Sequence, residues 1–475
     1  MRTIDIRSLM KTSGVGFGTS GARGLVSQMN DDVCAAYTLA FLQSLGFKQP
    51  GQPIALGMDL RPSSPAIARA CAAAIVQAGC VVDYCGALPT PALALHALTQ
   101  NRPAIMVTGS HIPFDRNGIK FYRADGEISK ADEAAITDAT VEIGRLEGEL
   151  PSINLEALSN YRSRFTAVFS AQLLQGWLIG VYEHSSAARD ILKTILTDLG
   201  AEVIGLARTD TFVPIDTEAV GVEDRQRGHQ WASQYQFDAL VSTDGDGDRP
   251  LLGDETGEWL RGDLVGLLTA AFLKADTVVT PVSSNTAIEA CGLFTRVLRT
   301  RIGSPYVIAA MESVTDDQAV AGFEANGGFL AGPGLTVNGQ FLPALPTRDA
   351  VLPALAVMAL ARQRGCKISD LTADLPARFT ASDRLQHFAP ERSQALLTTI
   401  SSDPASEFPW ADDLGDIVKR DNTDGLRLTF AHGDIVHLRP SGNAPELRCY
   451  VESMTAERAN DLVVRVLQSI EQQVK

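Results

Sequence analysis

Three aspartates stand on alternate positions in "LVSTDGDGDRP", which starts at Leu240: Asp244, Asp246 and Asp248. The glycines between them let a loop curl until three carboxylates converge. Oxygen-only ligation suits a hard cation such as Mg²⁺; without a cation, crowded carboxylates repel and their pKa values rise. An acidic, solvated turn is a competing reading. A calcium loop of the EF-hand kind is another, with Glu255 at its closing position. That loop wants glycine in its middle and a helix before it. Here Arg249 stands at the glycine's place, Pro250 follows, and an apolar strand comes first, so the calcium reading fails.

A second stretch is "MVTGSHIPFDRNGIKFY", residues 106–122. An apolar run delivers Ser110 to a strand end, with Gly109 and His111 beside it and Lys120 ten residues on. Ser110 is not a hydrolase elbow, because Thr108 and Ile112 stand where G-x-S-x-G needs glycines. It can be a turn residue, as serine after a strand usually is. It can also be a phosphoserine, whose dianion would add a fourth oxygen ligand to a metal on Asp244, Asp246 and Asp248.

Three more loops carry suitable groups. "FGTSGARG", residues 17–24, presents Arg23 from a glycine-rich turn without a P-loop's Gly-Lys-Ser/Thr ending. It is either a plain turn or an oxyanion cradle. "GFEANGGFL", residues 322–330, places Glu324 and Asn326 where a carboxylate and an amide could bind sugar hydroxyls. "HLRPSGNAPELR", residues 437–448, combines Arg439, Ser441, Gly442, Asn443 and Arg448. It reads as a solvated turn or as a phosphate grip, since arginines fork to phosphate.

The elements that must position these loops follow from pattern. Strand, Ser-Ser, helix, glycine and strand recur from Ile54 (Ser63-Ser64, Gly79) and from Leu178 (Ser185-Ser186, Gly200). A looser copy from Thr277 has Ser283-Ser284. The serines read as helix caps and the glycines as helix stops. A repeat at about 100 residues is too long for a solenoid and predicts three related α/β domains with helix-covered sheets. The last hundred or so residues read as a separate α+β domain. They alternate short strands around an "AHGD" turn and end on an amphipathic helix opening at Thr455. The expected domains are 1–152, 153–255, 256–370 and 371–475.

Composition narrows the class. A chain of 475 residues, 45% apolar and 20% charged, is globular and too long for one core. Its net charge of −15 argues against nucleic-acid or anionic-membrane partners, though local arginines can still hold a phosphate. No signal-like leader and no membrane-length apolar run is legible. The seven cysteines are scattered, with no C-x-x-C pair. A cytoplasmic protein with reduced thiols is expected.

Together, the five loops resemble the α-D-phosphohexomutase superfamily of phosphomannomutases and phosphoglucomutases. The motifs occur in the family's order and span nearly the whole chain, and "DLRPSS", residues 59–64, resembles a recurring first-domain sequence. The resemblance implies four domains around a central cleft. It implies that Ser110 carries the phosphoryl group and that Asp244, Asp246 and Asp248 hold Mg²⁺ against it. Arg23 and Arg249 would offset phosphoryl charge, and His111 and Lys120 would do acid–base work. Glu324 and Asn326 would bind sugar hydroxyls, with Gly303 and Ser304 of "RIGSPYV" as a looser match. Arg439, Ser441, Gly442, Asn443 and Arg448 would grip the phosphate not in transit. The partners implied are small-molecule hexose phosphates, with a hexose 1,6-bisphosphate as intermediate and activator and the protein a monomer or weak dimer.

Three positions depart from the family's usual pattern: Ile112 replaces Asn, Asn326 replaces Ser and Asn443 replaces Thr. The resemblance favours the phosphomannomutases, which feed GDP-mannose synthesis. Phosphoglucomutase and phosphoglucosamine mutase are the alternatives within the family, and an inactive sugar-phosphate binder the alternative outside its chemistry.

Overall fold

Apolar runs bounded by glycine and serine turns become strands, and helices with small or apolar faces cross between them. The computed structural model describes residues 1–18, 21–46, 51–315, 318–402, 410, 413–441 and 446–474. The first sheet holds β1 (Gly16–Phe17), β2 (Ala22–Leu25), β3 (Pro53–Met58), β4 (Val81–Ala87), β5 (Ala104–Val107) and β6 (Arg116–Arg123). Their spatial order is β1-β2-β6-β5-β3-β4. Strands β4 and β5 flank β3 in parallel, and β6 returns antiparallel beside β5. Helices α1 (Asp31–Ser44), α2 (Ser64–Gln77) and α3 (Thr90–Thr99) belong to this domain.

The second sheet repeats the arrangement with β7 (Leu178–Tyr182), β8 (Glu202–Leu206), β9 (Ala239–Thr243) and β10 (Pro250–Gly253), in the order β8-β7-β9-β10. The third has β11 (Thr277–Pro281), β12 (Arg296–Thr300), β13 (Val320–Phe323), β14 (Phe329–Ala331) and β15 (Leu345–Asp349), in the order β12-β11-β13-β14-β15. Counted from β3, β7 and β11, the second and third strands of each repeat run parallel to the first, and the fourth is antiparallel to the third. The chain is α/β, with three related domains and a C-terminal α+β domain. The last domain is an antiparallel sheet of β16 (Phe379–Gln386), β17 (Ile417–Asp421), β18 (Leu426–Phe430), β19 (Ile435–Pro440) and β20 (Glu446–Ser453). A long helix over Ala456–Val474 buries Ala459, Leu462, Val463, Val466 and Ile470 at helical spacing.

The Ser-Ser pairs correct one expectation. No side chain caps the start of α2; Ser64 Oγ donates to Asp59 Oδ1 at 2.5 Å instead. Ser186 Oγ accepts from Ala188 N, and it also pairs with Thr243 Oγ1 at 2.6 Å, at the end of β9. Ser284 Oγ accepts from Thr280 Oγ1 at 2.7 Å. In the third copy the expected crossover helix shrinks to one turn, Ala287–Ala290. The Ser186 contact is topological: the first and third strands of that repeat are parallel neighbours, so the turn after one lies beside the loop after the other, whereas Ser64 and Ser284 bond to groups only five and four residues before them. The glycine stops hold: Gly79 and Gly200 have φ of 78° and 93°.

One apolar cluster runs through all three α/β domains. It joins Leu93 of α3, Tyr161 and Phe165 of the helix Glu156–Thr166, Leu192, Val265, Phe323 and Leu355. Tyr161 also donates to Asp349 Oδ1 at 2.7 Å across the chain. The C-terminal domain has its own cluster and meets the others through polar contacts. Glu452 accepts from Thr286 N at 3.0 Å, and Asp424 Oδ2 accepts from Ile302 N at 2.9 Å. All seven cysteines are free. Among the described residues no helix is long and apolar enough to cross a membrane.

Asp83 of β4 ties the first domain to the segment leading into the second. It accepts from His96 Nε2 at 2.8 Å, Arg102 Nη1 at 2.7 Å and Asn154 Nδ2 at 2.8 Å. The His96 hydrogen bond outweighs burial and pushes the carboxyl down to about 2. A depressed carboxyl stabilises the fold above its unfolded value, about 3.9, and that contribution is lost as pH falls through the folded value. Asp83→Asn should therefore lower the thermal midpoint at pH 7 by about 2–4 °C, allowing for solvent screening. The gap should narrow below about pH 4. A midpoint unchanged at pH 7, or a gap undiminished at low pH, would contradict this role.

Candidate active site

The same topological position delivers all three central loops. Ser110 lies in the connection from β5 to β6, Asp244–Arg249 in that from β9 to β10, and Glu324–Gly328 in that from β13 to β14. Loops beyond the carboxyl ends of parallel strands are where α/β sheets place their ligands.

Ser110 is fully buried and has a φ of 54°, a region that non-glycine residues seldom occupy. Three contacts hold it there. Its N–H donates to Thr108 Oγ1 at 2.7 Å, its carbonyl accepts from Arg61 Nη2 at 2.8 Å, and its Oγ donates to Asp244 Oδ2 at 2.7 Å. The aspartate loop comes so close that a Cβ at Gly245 would stand 2.9 Å from Ser110 O. Ile112, at the position of the family's Asn, places its carbonyl 2.6 Å from Arg61 Nη2, so the main chain braces this turn.

Asp244, Asp246 and Asp248 are buried, with ligand oxygens all within 4.8 Å of one another. Thr90 Oγ1 and Lys120 Nζ each donate to Asp246 Oδ2 at 2.7 Å. Lys120 Nζ reaches Asp248 Oδ2 at 2.9 Å, and Arg348 Nη2 reaches it at 2.8 Å. Burial, with Asp246 and Asp248 adding to it, pushes the Asp244 carboxyl far above the usual range. Burial also opposes ionisation of Asp248, but Arg348, Lys120 and Arg249 overcome it and hold that group far below the range. Asp246 Oδ1 and Asp248 Oδ1 are buried and have no hydrogen-bond partner. Two orphaned carboxylate oxygens beside a third strained carboxylate fit a divalent cation with oxygen ligands.

Cations line the opposite side. Burial, then Arg249 and Arg348, push the Arg23 guanidinium down to about 10. Arginines that destabilise one another in this way call for an anion. Arg249 Nη1 donates to His111 Nδ1 at 2.9 Å, and Ser110 Oγ lies 3.4 Å from the same nitrogen. A guanidinium only donates, so Nδ1 is an acceptor and the ring proton sits on Nε2. Burial, with Arg249, Arg23 and Arg448, keeps His111 well below its usual pKa and neutral. Burial alone would lower Lys120, but Asp246 and Asp248 outweigh it, so Lys120 is a firm ammonium.

Arg348 links this centre to the third loop, with Nη1 donating to Glu324 Oε2 at 2.9 Å. Asn326 Oδ1 accepts from Gly328 N at 2.9 Å, closing its own turn. Gly303 and Ser304 sit at a helix start, and the buried Ser304 hydroxyl donates to Glu127 Oε2 at 2.9 Å. In the last domain Arg439 Nε donates to Asp424 Oδ2 at 2.8 Å and Ser441 N donates to Glu446 O at 2.8 Å. Arg448 lines a cavity of about 250 Å³ with Glu218, Arg384 and Tyr450. Gly442 and Asn443 lie outside the described residues.

Sequence reasoning passed over Arg348 and Thr90, and it singled out "DLRPSS" without giving Asp59 or Arg61 a role. The one available signal for Arg348 was an Arg-Asp pair inside the otherwise apolar run "LPTRDAVL". Thr90, in "LPTPA", carried none.

The chain matches family models described as phosphoglucomutase/phosphomannomutase alpha/beta/alpha domain I over residues 14–146, domain III over 261–379 and the C-terminal domain over 378–469. A Salmonella muenchen phosphomannomutase is 49% identical, over 97% of each chain. A Sinorhizobium fredii phosphomannomutase is 46% identical, over 96% of this chain and 98% of its own. A Burkholderia thailandensis phosphoglucomutase/phosphomannomutase family protein has the same fold, with a TM-score of 0.74 at 19% identity over 95% of this chain and 97% of that one. The chain therefore belongs to the phosphoglucomutase/phosphomannomutase family.

Proposed function

We propose that this protein is a phosphomannomutase. It interconverts mannose 1-phosphate and mannose 6-phosphate through phospho-Ser110 and a hexose 1,6-bisphosphate. The observation that carries this reading is the 2.7 Å contact of Ser110 Oγ with Asp244, inside a carboxylate trio faced by cations. The two relatives named above support mannose as the sugar.

Phosphoryl transfer asks for positioning and charge neutralisation more than covalent chemistry from the protein. Asp244, Asp246, Asp248 and a phosphoserine oxygen would hold Mg²⁺, which draws charge from the transferring group. Arg23 and Arg249 flank the same space and stabilise the phosphoryl oxygens. The free sugar hydroxyl attacks phosphorus; the new sugar O–P bond forms as the Ser110 Oγ–P bond breaks, and the hydroxyl proton leaves. Neutral His111 suits proton acceptance once Arg249 turns from it to the phosphoryl group. Lys120, held as an ammonium by two aspartates, takes the donor's half of the acid–base pair. Glu324 and Asn326 bind hydroxyls. Arg439, Ser441 and Arg448 hold the other phosphate, with Gly442 and Asn443 beside them in sequence. The bisphosphate then turns over and returns its second phosphoryl group to Ser110. Because the last domain has a core of its own, its loop can meet a phosphate from either sugar end.

Phosphorus NMR with Mg²⁺ and a trace of glucose 1,6-bisphosphate should show mannose 1-phosphate becoming the 6-phosphate. Glucose 1-phosphate should also convert, within about tenfold in rate, because Glu324 and Asn326 would address hydroxyls other than the one that differs. No conversion of either sugar by folded, Ser110-phosphorylated protein would mean a binding role. Lys120→Met should leave the fold intact and lower kcat by about 10²–10³-fold, because Asp246 and Asp248 lose their common donor. A kcat within about twofold of the unaltered protein would remove Lys120 from the chemistry.

A further inference from the structure

Arg61 is wholly buried, and it follows β3 rather than the catalytic loop itself. Its two terminal nitrogens make four hydrogen bonds, all to carbonyls of one turn. Nη1 donates to Pro113 O at 2.8 Å and Arg116 O at 2.9 Å. Nη2 donates to Ser110 O at 2.8 Å and Ile112 O at 2.6 Å. A guanidinium offers two N–H groups on each terminal nitrogen, so these bonds engage all four. None of the four remains for a substrate. The turn carrying Ser110 is wrapped around a planar cation.

The neighbours fix the cation in turn. Asp59 Oδ2 lies 3.2 Å from Arg61 Nε, and the same oxygen accepts from Thr108 Oγ1 at 2.8 Å. Gly109 leaves the space: a Cβ there would stand 2.5 Å from Arg61 Cζ. The guanidinium carbon lies 3.9 Å from the centre of the Phe212 ring, which comes from the second domain. Phe212 also backs the metal loop, since a Cβ at Gly245 would be 3.0 Å from that ring. Arg61 is therefore packed on one side by the serine turn and on the other by the ring behind the residue after Asp244.

We infer that Arg61, seated beside Gly109 and stacked on Phe212, is a positioning residue that sets Ser110 Oγ against Asp244. It governs the transfer step and not sugar-phosphate binding. Lysine cannot replace it, because an ammonium has three donors, no fork and no flat face for Phe212. The inference rests on the phosphoryl-transfer reading of Ser110.

The test compares Arg61→Lys, Arg61→Met and Phe212→Leu with the unaltered full-length protein. Steady-state kinetics use mannose 1-phosphate at saturating Mg²⁺ and glucose 1,6-bisphosphate, with the thermal midpoint recorded alongside. A displacement near 1 Å is enough to cost about 10²-fold. Both Arg61 variants should lose about that factor in kcat, with KM within about threefold. Phe212→Leu keeps the turn's hydrogen bonds and should lose about tenfold, again in kcat. A purely structural role would shift the midpoint and leave kcat and KM alone. If the Arg61 variants do not fold, Phe212→Leu alone decides. Unchanged kcat, or a KM that rises in step with the loss, overturns the inference. Unaltered protein that converts no hexose phosphate overturns the functional reading instead.

Discussion

Three buried aspartates with oxygens within 4.8 Å of one another are the constraint around which this protein is arranged. Carboxylates that close, out of water, repel strongly unless cations or donors answer each one. Lys120 bridges two of them, Arg348 clamps one, Thr90 holds another, and Ser110 donates to the third. These partners come from the first and third domains, while the aspartates belong to the second. The charge problem thus draws three domains into one site. It is solved only in part: Asp244 remains strained, and two oxygens are orphaned. That residue of unsatisfied negative charge is what a metal ion would answer, with a phosphoserine oxygen as its further ligand.

Repetition makes the convergence possible. Each repeat, counted from β3, β7 and β11, presents its key loop between its third and fourth strands, so a single strand order yields the loops of Ser110, of Asp244–Asp248 and of Glu324–Asn326 in turn. A shared apolar core through the three domains holds those loops in register to within hydrogen-bond distances. The fourth domain is joined differently, by polar contacts such as Asp424 to Ile302 and Glu452 to Thr286. Such an interface gives way more easily than an apolar core.

Much of this was legible beforehand because the groups are local. Asp244, Asp246 and Asp248 alternate with glycine in one loop, and Ser110 and His111 share a turn, so type and spacing alone expose them. The repeat was legible through its Ser-Ser pairs, although their purpose was misread. Ser64 bonds back to Asp59 in its own turn, whereas Ser186 braces Thr243 at the end of a neighbouring strand, which depends on the order of strands across the sheet. Arg348 and Arg61 were missed for the same reason. Arg348 meets Asp248 across 100 residues, and Arg61 meets Ser110 across 49. Nor was the Ser304 contact with Glu127 legible, since it joins residues 177 positions apart.

The central claim is that Ser110 phosphate and the three aspartates share one metal ion. The direct measurement is phosphorus NMR of phospho-Ser110 protein titrated with Mn²⁺, in the unaltered chain and in Asp246→Asn. The account predicts that Mn²⁺ at sub-stoichiometric amounts broadens the phosphoserine resonance, that excess Mg²⁺ restores it, and that Asp246→Asn needs far more Mn²⁺. A sharp phosphoserine resonance in the unaltered protein at saturating Mn²⁺ would contradict it.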